Sequence, residues 1–190
     1  MLNIVLFGPP GAGKGTQADF LIKNFNLMHI STGDLLRSQI AAETALGVKA
    51  KSFIDKGELV PDELVIGMIE TKLEESKGIK GIIFDGFPRT VAQAEALDVL
   101  LNSKNTPVSG MLALDVEKQE LINRLLERGK TSGRSDDQDA SIIENRINVY
   151  NEKTAPLADY YNAQNKYYKI KGVGSIEEIA DRLSEVVKSL

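Results

Sequence analysis

The sequence predicts an α/β fold, a doubly wound parallel sheet of five strands with helices on both faces. Two observations carry that expectation. Short apolar runs recur at Leu2–Phe7, Met28–Ile30, Gly81–Asp85, Met111–Val116 and Tyr167–Ile170, and helical patterns separate them. Strands that are apolar throughout suit a parallel sheet covered on both sides. The chain also has 190 residues without an internal repeat, low-complexity tract or Pro/Ser-rich linker, which points to one sizeable core over residues 1–190. Ligands of such sheets gather at the carboxyl ends of the strands, where Gly8, Asp85 and Asp115 fall.

Composition narrows the function classes. A hydrophobic share of 42% with 26% charged residues is that of a soluble globular chain. The net charge of −4 argues against general nucleic-acid binding, so an anion site must concentrate its positive charge locally. The absence of cysteine excludes disulfides and thiolate metal sites and fits a reducing cytosol. No apolar segment approaches the ~18 residues of a membrane span, so the expected location is the cytoplasm. Of 23 basic residues only seven are arginine (Arg37, Arg89, Arg124, Arg128, Arg134, Arg146 and Arg182). Guanidinium forks suit bidentate phosphate recognition, so each arginine is a candidate site residue.

The first strand enters Gly8-Pro9-Pro10-Gly11-Ala12-Gly13-Lys14-Gly15-Thr16, and Thr16 to Asn24 leaves it as a helix. Strand, glycine-rich loop and helix form the context of a phosphate-binding P-loop. Backbone N–H groups must converge on a phosphate, which side chains at Gly11, Gly13 or Gly15 would obstruct. The helix turns its positive end to the same anion, Lys14 supplies a point charge, and the Thr16 hydroxyl suits Mg²⁺. Gly15 stands where G-x-x-x-x-G-K-(S/T) expects a hydroxyl, and Thr16 follows it.

His29, the only histidine, has no partner at metal-ligand spacing and reads as structural. In Ser31-Thr32-Gly33-Asp34-Leu35-Leu36-Arg37, Thr32 suits a helix cap, and Arg37 decorates the helix that follows. Ser31 to Val60 is too long for a simple connection and reads as a small helical insert. Pro61 suits a first helical position, with Asp62 and Glu63 favouring the helix dipole. Gly81–Asp85 is an apolar strand ending in a carboxylate, the pattern of a Walker B aspartate for Mg²⁺. Asp85-Gly86-Phe87-Pro88-Arg89-Thr90 then presents Arg89 at a helix start. A cation there opposes the dipole, which makes sense if an anion lies between them. Thr90 and Gln93 fit a T-x-x-Q capping box, and spacing alone favours the cap over a base-reading amide.

Arg124 and Arg128 lie at i and i+4 near a helix end, where a favourable dipole interaction explains them without a ligand. Gly129–Gly133 reads as a polar hairpin or loop, and Asp136 and Asp137 after Arg134 as partners for nearby arginines. Arg146, beside Glu144 and Asn145, reads by itself as a surface charge. Tyr160, Tyr161, Tyr167 and Tyr168 suit packing. The last helix shows an apolar stripe of Ile176, Ile179, Ala180, Leu183, Val186 and Val187, with Ser175 and Glu178 as a capping box.

Taken together, the G-P-P-G-A-G-K-G-T loop, Ser31–Arg37, Asp85–Thr90, Arg134–Asp137 and the Gly172-Val173-Gly174 turn resemble the adenylate kinase family along the whole chain. The resemblance implies transfer of the γ-phosphoryl group of MgATP to AMP, giving two ADP. It implies an NMP-binding insert over 31–60 and a short lid over 127–137, the latter without structural zinc. It also implies an ATP site of Gly11, Ala12, Gly13, Lys14, Gly15 and Thr16 with Arg128, and Gly174 against the adenine. Thr32, Arg37, Glu58, Leu59, Val60, Gly86, Phe87, Pro88, Arg89, Gln93, Arg134 and Arg146 would form the AMP site. Lys14, Arg89, Arg124, Arg128, Arg134 and Arg146 would be catalytic, and Thr16 and Asp85 would hold Mg²⁺, partly through water. A monomer is expected. UMP or CMP as acceptor is the nearest alternative, and Thr32, Thr90 and Gln93 favour AMP over it. A hydrolysing P-loop switch is the other; no N-K-x-D motif supports it, since Asn165-Lys166-Tyr167-Tyr168 lacks the aspartate.

Overall fold

The computed structural model describes residues 1–76 and 78–190. Among them five parallel strands form one sheet in the order β2-β3-β1-β4-β5: β1 (Leu2–Phe7), β2 (Met28–Ser31), β3 (Gly81–Asp85), β4 (Gly110–Asp115) and β5 (Tyr167–Lys171). Chain order departs from β1 in both directions, so the crevice of a doubly wound sheet opens beside it. Register brings Leu6 and Ser31 level with Asp85. The end of the first strand, the Ser31–Arg37 motif and the Asp85–Thr90 motif therefore meet at one edge.

The pleat sends successive residues to opposite faces, and both faces are apolar. Val5, Phe7, Ile82, Phe84 and Met111 pack under α4 (Asp62–Glu75), α5 (Val91–Asn102) and α8 (Leu157–Asn162), with Ile69, Leu97, Leu101, Leu157 and Tyr161. Ile4, Leu6, Ile83, Leu112 and Ile170 pack under α1 (Lys14–Phe25) and α9 (Ile176–Ser189), with Ala18, Leu21, Leu183 and Val187. A smaller third core joins α6 (Lys118–Gly129) to α7 (Ala140–Val149) through Leu125, Ile143 and Ile147.

Residues 31–60 contain α2 (Thr32–Ala41) and α3 (Ala45–Ile54) and a loop to Val60. Several local expectations change. Ser31, not Thr32, caps α2, because the Thr32 hydroxyl donates to the Gly86 carbonyl at 2.8 Å. Pro61 stands one residue before α4 as its cap. Of the hairpin or loop expected at Gly129–Gly133 the structure has the loop, a turn that continues the end of α6 with Ser132 N–H on the Arg128 carbonyl and leads to a short 3₁₀ helix at Ser135–Asp137. α9 has the expected capping box and apolar stripe, except that Ile176 in its first turn is exposed. No helix among the described residues is long and apolar enough to cross a membrane.

Candidate active site

The site is built where β1 runs out. The loop to Gly13 turns with Gly11 at φ +85° and Gly13 at φ +91°, left-handed values that glycine adopts without strain. A Cβ on Gly11 would also press to 2.9 Å from the Leu121 carbonyl. Gly15 lies in the first turn of α1, beside the exposed Thr16, and its own φ is not left-handed. α1 begins at Lys14 with no side-chain cap and no acid in its first turn. α2, α3, α5, α7 and α9 are capped by Ser31, Thr44, Thr90, Asp139 and Ser175, and the helices at Asp62–Glu75, Lys118–Gly129 and Leu157–Asn162, like α1 without a side-chain cap, each carry an acid in the first turn. Uncapped N–H groups and the positive dipole end suit an anion.

Lys14 Nζ donates to the carbonyls of Gly8 (2.8 Å) and Pro9 (3.1 Å). Burial lowers its pKa to about 8; Asp85 opposes this, and Arg89, Arg146 and Arg128 add to it. Arg89 is held by its Nε donating to the Gly86 carbonyl at 2.8 Å. Its pKa is lowered by burial first and then by Arg146 and Arg37, with Asp85 opposing. Among the described residues, neither Lys14 nor Arg89 has a carboxylate within ion-pair distance. Two half-buried cations facing one cavity without such partners repel each other and are poorly solvated, a state that an anionic ligand relieves.

Other arginines around them are paired. Arg37 pairs with Asp34, and Arg134 lies 3.9 Å from the same carboxylate. Arg124 pairs with Glu120 at 2.8 Å and leans on the Gly172 carbonyl. Arg128 Nε and Nη2 clasp Asp137 at 2.6 and 3.0 Å. Arg146, far from being a surface charge, bonds both Asp136 and Asp137 and is mostly buried. The aspartates after Arg134 therefore do pair with arginines, as their spacing suggested. Burial would raise the Asp137 pKa, but Arg128 and Arg146 outweigh it and hold the carboxyl below its ordinary value.

One cavity runs through this constellation. Lys14, Thr32, Arg37, Glu58, Leu59, Val60, Gly86, Pro88, Arg89, Gln93 and Arg146 line it. Phe87 does not, being packed in the core beneath. Arg124, Arg128, Arg134 and the P-loop residues Gly11, Ala12, Gly13, Gly15 and Thr16 do not line it, and Ala12 is packed in the core. Gly174 stands apart in the exposed turn before α9, which Gln17 ties to α1 by donating to the Ile176 carbonyl at 3.0 Å. Gln93 satisfies part of the capping reading, since its N–H bonds the Thr90 hydroxyl, while its side-chain oxygen accepts from Arg89 N–H at 2.7 Å.

Sequence reasoning missed Tyr150 and Thr154 on the cavity wall. They continue α7 as one wide turn over Tyr150–Thr154, closed by Ala155 N–H on the Tyr150 carbonyl at 2.8 Å. Thr154 donates to the Arg89 carbonyl at 2.8 Å, and the Tyr150 ring lies 5.7 Å from that of Phe7. The available signal was the spacing of Arg146, Tyr150 and Thr154, four residues apart on one helical face.

His29 is less isolated than its sequence suggests. Its Nε2 lies 3.6 Å from Asp85 Oδ2, and Asp85 raises the His29 pKa. Burial would raise the pKa of Asp85 in turn, but His29 and Lys14 outweigh it and lower it. Among the described residues no three His, Cys, Asp or Glu side chains form a metal cage of their own. The hydroxyl of Thr16 and the carboxylate of Asp85 nonetheless suit a hard cation that keeps several waters and shares phosphate oxygens.

The family model described as adenylate kinase matches residues 6–166. The chain belongs to the adenylate kinase family. It is 56% identical over 190 residues to an adenylate kinase of Flavobacterium psychrophilum, with all of both chains covered. A Parabacteroides distasonis adenylate kinase matches equally, at 56% over 190 residues and the whole of both chains. One from Bacteroides fragilis is 48% identical over the same full span. Residues lining the cavity all fall inside the adenylate kinase family match, whereas Gly174 and α9 lie beyond it.

Proposed function

We propose that the chain reversibly transfers the γ-phosphoryl group of MgATP to AMP, giving two ADP. The observation that carries this reading is the pair of half-buried cations, Lys14 of the P-loop and Arg89 of a separate motif, lining one cavity with backbone carbonyls rather than carboxylates as partners. One phosphate chain bound at α1 would satisfy Lys14. Arg89, held on the Gly86 carbonyl and lining the same cavity as residues 58 to 60, calls for a second phosphate.

On this reading Gly11 to Thr16, Arg128 and the Gly174 turn hold ATP. Thr32, Arg37, Glu58, Leu59, Val60, Gly86, Phe87, Pro88, Arg89, Gln93, Arg134 and Arg146 hold AMP, with Phe87 contributing backbone only. Thr16 and Asp85 take Mg²⁺, which when bound neutralises charge on the phosphates. An acceptor phosphate is already anionic near neutral pH, so no general base is required. Lys14, Arg89, Arg124, Arg128, Arg134 and Arg146 align the two phosphates and screen their repulsion. Residues 31–60 and 127–137 form an AMP-side insert and a short lid that exclude water, so that transfer outruns hydrolysis. The chain is taken to act as a cytoplasmic monomer on free nucleotides.

³¹P NMR of the protein with MgATP, alone and with AMP, UMP, CMP or GMP, tests the reading. ADP forms from ATP and AMP without free phosphate if it holds. Transfer to UMP or CMP in preference would replace AMP as the acceptor. Phosphate released without any acceptor would remove the two-site reading altogether. Arg89→Ala is expected to lower kcat/KM for AMP by roughly 100-fold or more.

A further inference from the structure

Gln93 is almost wholly buried, yet its amide stands on the cavity wall, and both ends of that amide are fixed by the protein. Its Nε2 donates to Asp62 Oδ1 at 2.8 Å, and its Oε1 accepts from the Arg89 N–H at 2.7 Å. The second carboxylate oxygen, Asp62 Oδ2, accepts from the Thr90 hydroxyl at 2.8 Å, and that hydroxyl in turn accepts from the Gln93 N–H. A carboxylate only accepts and a backbone N–H only donates, so this surround admits one direction of the amide. Turning it over would set N–H against N–H and oxygen against carboxylate, inside the protein where each unmet group is costly.

An amide has two hydrogens on nitrogen and two lone pairs on oxygen. One of each is engaged, which leaves one donor and one acceptor in a fixed order. Adenine offers an amino donor beside a ring-nitrogen acceptor, which one amide meets with its oxygen and its nitrogen in that order. Hypoxanthine has a carbonyl in place of the amino group and an N–H in place of the acceptor, so it needs the amide reversed. We propose that Asp62 is a positioning residue that locks the direction of the Gln93 amide and so sets the preference for adenine over hypoxanthine in the acceptor. The inference rests on the AMP reading above. Asp62 opens α4 directly after Val60 and Pro61, so the lock shares a segment with the cavity wall it serves.

The test measures kcat/KM for AMP and for inosine monophosphate at saturating MgATP, in the wild type, Asp62→Asn, Gln93→Ala and the double variant. Asparagine keeps the size of Asp62 but presents both a donor and an acceptor, so either direction of Gln93 becomes possible. We expect the AMP-over-inosine-monophosphate ratio to fall roughly tenfold or more, chiefly through the acceptor KM, with the KM for ATP unchanged. In the Gln93→Ala background the same Asp62 change should leave the ratio where it was. Asp62→Ala, which frees the amide altogether, should lower the ratio as well. An unchanged ratio in both Asp62 variants overturns the inference, as does an equal loss for both nucleotides accompanied by a lower Tm, or a fall that persists without Gln93. If wild-type protein makes no ADP from AMP, the underlying function reading fails first, and that outcome is distinct from any change in the ratio.

Discussion

Lys14 and Asp137 both have lowered pKa values, but burial drives the shift in Lys14 and opposes it in Asp137, where the neighbouring arginines outweigh it. Lys14 is half-buried among arginines, so its folded pKa of about 8 lies below the ordinary 10.5. Between those values the unfolded chain binds the extra proton, and this group favours the fold increasingly as pH rises. A bound phosphate requires the charged form. Affinity for MgATP should therefore be level below about pH 8 and weaken towards tenfold per pH unit above it. Isothermal titration across about pH 7 to pH 10 reads this directly, and a flat profile would refute the assignment. Asp137 sits at 0% side-chain exposure between Arg128 and Arg146, which keep its pKa depressed. The stability it contributes is present above the ordinary carboxylate range and is lost as pH falls through the lower folded pKa. Asp137→Asn should thus lower Tm at neutral pH, and the difference from wild type should close on acidification.

Helix ends and helix faces divide their work. Side-chain caps at five helix starts satisfy orphan N–H groups locally, while α1 has neither such a cap nor an acid in its first turn. The α9 capping box is the clearest structural case: Ser175 accepts from Glu178 N–H, and Glu178 accepts from Ser175 N–H at 2.8 Å. Ser175→Ala should cost about 1 kcal/mol, a fall of roughly 2–4 °C in Tm, without touching turnover. Leu183 on the same helix is fully buried against the sheet. Its change to alanine should cost about 2–5 kcal/mol in urea unfolding, because transfer and cavity effects add.

Across the whole molecule, segments far apart in sequence close over one crevice. Gly57, at φ +72°, packs so tightly under α7 that a Cβ would come within 2.8 Å of Arg146 Cγ and 3.0 Å of the Ile142 carbonyl. Nearby, Asn145 donates to the Lys56 carbonyl at 2.7 Å and Ser135 to Asp55 at 2.9 Å. Gly57→Ala should strain the left-handed turn by roughly 1–2 kcal/mol and displace Arg146. We expect the KM for AMP to rise about tenfold, more than that for ATP, in steady-state assays. Equal effects on both substrates would mean that the contact does not belong to the acceptor side.

Much of this was legible in the chain itself. Apolar runs and their spacing determined the five parallel strands, because strands buried on both faces carry no polar alternation to obscure them. Glycine density and Lys14 determined the anion loop, since backbone geometry there depends on a missing Cβ. Side chains whose meaning depends on a distant partner were not legible. Thr32 reads as a cap until Gly86 is beside it, Arg146 as surface until Asp136 and Asp137 surround it, and Asp62 as a dipole acid until Gln93 and Thr90 reach it. Sequence alone fixes what is local, through periodicity, φ preference and helix ends. The direction of a buried amide or the partner of a buried guanidinium is decided by groups tens of residues away, and only the tertiary structure brings those together.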